Sequence, residues 1–293
     1  MKKVSIIIPT RNRSSYLHRA AKHAFAQDYP NIEVIISNNA SSDDTTEVLE
    51  QIQKEFDSLK VVTHKELLPL NVHWDKVIRE HSSGELLLVI PDDDILIDET
   101  YISKAVALFE KYKDIGIVFA NYNAILTDGT IKTAHDTQLD EYVPKELIFN
   151  NFNKNAFNTK GFGIPHLTAV FSRQAYLDVD GFDYDCMSPD TYLWLKILLK
   201  YNIGFVKDRV ANYLLHENNL SKKANLQQFH SDTAIPRKIK EFALRSNLYD
   251  KKIDATLKRM YKIFHLRYTG VLYPKKSLNR SFQKFKAKFK RFK

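Results

Sequence analysis

Residues 85–94 read Glu-Leu-Leu-Leu-Val-Ile-Pro-Asp-Asp-Asp: an apolar run that ends at a proline and is followed at once by three aspartates. Ser82-Ser83-Gly84 bounds it on the other side. A short apolar run between such breakers reads as a strand of a covered sheet. Adjacent carboxylates repel one another, so Asp92, Asp93 and Asp94 are best tolerated where a cation sits among them. The alternative is a solvated acidic loop, or a helix cap at Asp94 or Asp98.

Working outward, the same grammar repeats. Val4–Pro9 is an apolar run ending in a proline, and Tyr16–Ala26 carries apolar residues at helical spacing. Ile32–Ser37 and Leu59–Thr63 read as strands, Thr45–Phe56 and His73–His81 as helices. Glu99–Tyr112 is again helical and Ile115–Phe119 again a strand. Strands alternating with helices of this length predict an α/β fold with a mostly parallel central sheet covered on both faces. Ligands gather at the carboxyl ends of such strands. The polar clusters Thr10-Arg11-Asn12, Ser37-Asn38-Asn39 and Asp92-Asp93-Asp94 fall there. Residues 121–165 read as loop-rich, and from about Gln227 the chain reads as helical.

The 293 residues suffice for one large domain and an appendage. No stretch approaches the roughly 18 apolar residues of a membrane span. The opening Met-Lys-Lys-Val-Ser-Ile-Ile-Ile-Pro has too short an apolar run for a signal peptide and reads as the first strand. Cys186 is the only cysteine, which excludes an intrachain disulfide and fits a reducing compartment. The net charge is +9, and residues 271–293 hold nine Lys and Arg and no acid. The body is therefore neutral, and a uniformly basic nucleic-acid binder is excluded.

The segments Val-Ser-Ile-Ile-Ile-Pro9-Thr10-Arg-Asn12-Arg, Ile-Ser-Asn38-Asn39-Ala-Ser41-Ser-Asp43 and Asp92-Asp93-Asp94 together resemble the family 2 glycosyltransferases of the GT-A fold. Gly181-Phe182-Asp183 and Ser188-Pro189-Asp190-Thr-Tyr-Leu-Trp194-Leu resemble that family's acceptor-side segment. The likeness covers roughly residues 2–221, in order. It implies an inverting enzyme that moves a hexosyl or N-acetylhexosaminyl group from a nucleotide-sugar, a UDP-sugar in the first instance, to a cell-envelope glycan or polymer.

The resemblance also implies roles. Pro9, Thr10 and Asn12 would line the nucleotide pocket. Asn38 stands where the family usually has an aspartate facing uracil. An amide can donate as well as accept, so Asn38 can still pair with uracil or thymine but no longer excludes cytosine, which leaves UDP, dTDP and CDP open; simple turn chemistry is the other reading of Asn38. Asp94 would hold Mn²⁺ or Mg²⁺ with the late His216, Asp92 would lie nearer ribose or the ion on the nucleotide, and Asp93 could substitute for either. Asp190, after Pro189 where many members have a glutamate, would be the general base, or would merely cap its helix. His166 could contact donor sugar or acceptor. Trp194 is expected in the core, and Cys186 as a small, semi-buried residue.

The expected organisation is a catalytic domain over residues 1–220 and a helical region over 221–293. In the tail, about 274–293, Leu278, Phe282, Phe285, Phe289 and Phe292 recur at alternating intervals of four and three. That places them on one face of a basic helix, as in an anchor on an anionic membrane surface. A helix docked on protein is the alternative. The expected location is the cytoplasmic face of the plasma membrane. The rival to an enzyme is a non-catalytic nucleotide-sugar or glycan-binding protein on the same fold.

Overall fold

The computed structural model describes residues 1–151, 163–217, 219 and 226–272. The tail stripe lies outside the described residues. Ten strands form one sheet: β1 (Val4–Thr10), β2 (Ile32–Asn39), β3 (Lys60–His64), β4 (Leu86–Val89), β5 (Ile95–Leu96), β6 (Ile115–Leu126), β7 (Ile131–His135), β8 (Tyr142–Val143), β9 (Val170–Ser172) and β10 (Asn202–Leu215). Their main order is β3-β2-β1-β4-β9-β6-β10-β5, with β7 beside β6 and β8 beside β10. Pairing is parallel from β3 through β4 and between β6 and β10. Strand β9 is inserted antiparallel between β4 and β6.

The apolar strand runs follow from burial on both faces. Ile6 and Ile8 join one core cluster and Ile7 the other; Leu86 and Leu88 are likewise separated from Leu87 and Val89. The first cluster is covered by α1 (Ser14–Phe25), α2 (Thr45–Glu55) and α4 (Tyr101–Lys111) through Leu17, Leu49 and Ile102. The second is covered by α3 (Leu70–Lys76), α5 (Lys145–Asn151) and α7 (Pro189–Lys200) through Trp74, Ile148 and Trp194, with Trp194 fully buried as expected. Between these lies α6 (Arg173–Leu177). Past it come α8 (Leu226–Asp232), α9 (Ile235–Arg245) and α10 (Lys251–Leu272); Ile239, Leu257 and Met260 carry the last two onto the second cluster.

Two expectations are corrected. The stretch 121–165 is less irregular than its sequence suggests, because β6 runs on to Leu126 and turns back through β7. Asn121 and Asn123 break the apolar pattern, yet their amides are bonded: Asn121 donates to the Thr137 and Lys207 carbonyls, and Asn123 to Asn212. The helix expected over His73–His81 starts earlier, at Leu70, and Val77–His81 continues it as one π-helical turn.

Candidate active site

The ends of β1, β2 and β4 meet one cavity of about 870 Å³. Its walls include Pro9, Thr10 and Arg13 from the β1 end and Asn39 from the β2 end. The whole aspartate triplet lines it, and Asp190 faces it from the start of α7. Residues about 100 positions apart in the chain therefore share one chamber.

The triplet is nearly closed off from solvent, Asp94 most of all at 1% exposed. Thr10 Oγ1 donates to Asp92 Oδ2 (2.7 Å). Arg13 Nη1 donates to Asp92 Oδ1 (3.0 Å) and to Asp93 Oδ2 (2.6 Å). His216 Nε2 lies 2.8 Å from that same Asp93 oxygen, and the Leu214 N–H donates to Asp94 Oδ1 (3.0 Å). Burial pushes the Asp92 carboxyl up to about 6 against the pull of Arg13 and Thr10. Burial, with Asp93 beside it, raises Asp94 well above the usual carboxylate range. Burial works against the Arg13 charge, but Asp92 and Asp93 outweigh it and hold the guanidinium above its ordinary value.

Among the described residues, no group of three or more His, Cys, Asp or Glu side chains is arranged to grip a metal ion. Asp92 and Asp93 are turned onto Arg13 and His216, and Asp94 onto the Leu214 N–H. Their chemistry still fits a hard divalent cation. Burial raises Asp92 and Asp94, and Asp93 beside them adds to it; a cation placed among the three would favour their ionised forms.

The β1 and β2 ends are tied together. Asn12 adopts φ 52°, a left-handed conformation that asparagine tolerates. Its N–H donates to Ser41 Oγ, and its Oδ1 accepts from the Ser42 N–H. Asn38 is buried with its Oδ1 accepting the Ser41 N–H (3.0 Å). That is the turn chemistry of an asparagine after a strand. The cavity lining includes neither Asn12 nor Asn38 nor His216; Asn12 and Asn38 hold the turn after β2, and His216 bonds Asp93. Pro9, Thr10, Asp92, Asp93, Asp94, His166 and Asp190 do line it.

Asp190 is the second residue of α7, behind Pro189. Burial raises its carboxyl, while the backbone N–H groups of Thr191 and of Asp190 itself pull the other way. His166 stacks on Trp74 at 4.8 Å with 5° between the planes. Both of its ring nitrogens are buried without a hydrogen-bond partner, and burial pushes the ring down to about 4, so it is neutral near pH 7. Cys186 is buried in the wall with its thiol pushed upward by that burial, which suits a packing residue rather than a nucleophile.

Several lining residues were invisible to motif reading. Asn39 forms a two-way amide pair with the Leu68 backbone, donating to its carbonyl and accepting its N–H, both at 2.9 Å. This fixes the Leu67–Leu70 wall, and Trp74 follows in α3. Arg13 had a signal that was available: Arg11 and Arg13 stand close behind a strand end that must face three acids. Gln227 and Ser231, from α8, had none.

A family model described as Glycosyl transferase family 2 matches residues 5–179. Among curated proteins, the chain is 34% identical over 97 residues to GalNAc(5)-diNAcBac-PP-undecaprenol beta-1,3-glucosyltransferase of Campylobacter jejuni; that match covers 33% of this chain and 31% of the relative. It is 23% identical over 274 residues to UDP-Glc:alpha-D-GlcNAc-diphosphoundecaprenol beta-1,3-glucosyltransferase WfgD of Escherichia coli, covering 92% of this chain and 93% of that one. Among solved structures, S. aureus TarS 1–349 in complex with UDP-GlcNAc superposes with a TM-score of 0.70 at 18% identity, over 95% of this chain and 77% of that one. This last likeness shows the fold.

Proposed function

The chain belongs to glycosyl transferase family 2, and from that premise we propose that it transfers a sugar from a UDP-sugar to a hydroxyl of a cell-envelope glycan or polymer. The observation that carries the reading is one cavity lined both by Thr10 and the aspartate triplet, at the β1 and β4 ends, and by Asp190, at the start of α7. A diphosphate and an acceptor hydroxyl need two such sets of groups, one holding the leaving group and one taking a proton.

In this reading the acceptor oxygen attacks the anomeric carbon while Asp190 accepts its proton. The bond from that carbon to the diphosphate breaks, and the configuration inverts. Asp94, with Asp92, Asp93 and His216 beside it, would hold Mn²⁺ or Mg²⁺, which stabilises the negative charge gained by the departing diphosphate. Because Asn38 is used in its own turn, base recognition falls to Pro9, Thr10 and the Leu67–Leu70 wall. His166, neutral and unsatisfied against Trp74, offers one donor and one acceptor to a sugar hydroxyl. UDP as the carrier is supported by the TarS complex with UDP-GlcNAc, and a glycan acceptor by the WfgD likeness. No described helix is long and apolar enough to cross a membrane. Contact with an anionic inner membrane surface is assigned to the basic stripe of residues 274–293.

The test is release of UDP from UDP-glucose and UDP-GlcNAc by purified protein with Mn²⁺, alongside thermal shift with each nucleotide-sugar. Release with at least one donor is expected, lost in EDTA. Stabilisation by a donor without any turnover would favour a binding protein instead.

A further inference from the structure

Ser188 immediately precedes α7, the position where a serine ordinarily accepts a hydrogen bond from the second or third N–H of its helix. Here it makes no such bond. Its hydroxyl is turned away and donates to Asp232 Oδ2 (2.7 Å), and its own N–H donates to Asp232 Oδ1 (3.0 Å). The neighbouring residue of α8, Ser231, holds the same loop: its Oγ accepts the Met187 N–H (3.1 Å) and its carbonyl accepts the Tyr184 hydroxyl (2.9 Å). Four hydrogen bonds thus fasten the loop ahead of Asp190 to a helix that lies beyond the family-matched segment.

The second and third N–H groups of α7 belong to Asp190 and Thr191. Those two donors are the ones that oppose burial at the Asp190 carboxyl. A capping Ser188 and an available Asp190 therefore compete for the same pair of groups.

We propose that Asp232 is a positioning residue for the base: by holding Ser188 off the end of α7, it reserves the first-turn N–H groups for the Asp190 carboxylate. This rests on the reading of Asp190 as base. Asp232 acts through Ser188 and need not touch substrate. The other titratable groups around Asp190 are Asp185 and Cys186 in the same loop, and Arg13, His73, His166 and the aspartate triplet elsewhere on the cavity wall. Of these, the Cys186 thiol also feels the Asp232 charge; that change is common to the single and double variants and cancels between them.

The experiment compares the pH dependence of kcat for UDP release, with the faster of UDP-glucose and UDP-GlcNAc, in wild type, Asp232→Ala, Ser188→Ala and the double variant. Alanine holds neither the Ser188 N–H nor its hydroxyl, so Ser188 is released to cap the helix. The acid limb of the D232A profile should move up by about one pH unit, a roughly tenfold lower kcat below it that recovers at higher pH. KM for the donor should stay put. Removing the competing hydroxyl as well should return the limb of the double variant to the S188A position. A D232A defect equal at every pH, or one that S188A does not relieve, would reduce Asp232 to a structural fastener and overturn the proposal. Asp190→Asn is run alongside: undiminished turnover there would sink the base reading, and this inference with it.

Discussion

Replacing Asp190 by asparagine separates catalysis from folding because the two effects have opposite signs. Asp190 is half-buried in the cavity wall, and its partial removal from water raises its proton affinity above the ordinary carboxylate value. A group that holds its proton more tightly in the folded chain than in the unfolded one opposes folding wherever the unfolded carboxyl is ionised. That penalty is present at neutral pH and is relieved as pH falls through the folded value. Asparagine has the same size and no charge to bury, so D190N should melt at or above the wild-type temperature at pH 7.5. The gap should close on acidification toward pH 4. Turnover should move the other way, since an amide cannot take the acceptor proton. Loss of a general base costs roughly 10²–10⁴ in rate, or about 3–5 kcal/mol of barrier. Donor affinity should hold, because Asp190 belongs to the α7 wall and the triplet to the β4 end. The assays are UDP release at saturating donor, UDP titration by calorimetry, and thermal melts at several pH values. A D190N protein that melts lower at pH 7.5 and loses turnover only in proportion to its folded fraction would refute the assignment.

Three further outcomes are expected. Asp94→Asn should abolish turnover while leaving a folded protein, and EDTA should inhibit the wild type with Mn²⁺ or Mg²⁺ restoring it; full activity in EDTA would remove the metal from the reading. Glu33→Gln should cost about 1–2 kcal/mol of stability without touching the chemistry, because Glu33 accepts from Ser5 and from the Ser83 and Gly84 N–H groups. Its carboxyl is pulled down to about 2, so its contribution is present above the unfolded value of 4.5 and fades as pH falls toward 2; chemical denaturation at pH 7 and pH 3 measures both. Deleting residues 274–293 should release the protein from anionic vesicles in cosedimentation while UDP release survives, and equal binding by both forms would mean that the stripe packs on protein.

The sheet and the triplet were legible for a simple reason. Strands buried on both faces are written as unbroken apolar runs, and the ends of β1, β2 and β4 are marked by proline or by polar clusters. Strand β10 lacks that signature. Its middle, Lys207-Asp208-Arg209, is exposed, and the pairing with β6 slips on either side of Arg209, so its alternation is broken where a reader would look for it. The segment matters all the same, since its Leu214 N–H bonds Asp94 and His216 follows directly after it.

The groups that shape the cavity were hidden for a different reason: their roles are relational. Asn38 and Asn39 are adjacent and chemically identical, yet one amide is spent within its own turn and the other pins Leu68, 29 positions away. No spacing rule separates them, because the difference lies in which face of β2 each residue occupies and what the sheet brings opposite. The same holds for Ser188 and Asp232. In the sequence, a serine ahead of Pro-Asp reads as a helix cap. Only packing α8 against the loop, 44 positions on, diverts that hydroxyl and leaves the helix end to the carboxylate. A motif can therefore nominate Asp190, but whether a serine hydroxyl competes at the end of its helix is decided by a residue that the motif does not contain.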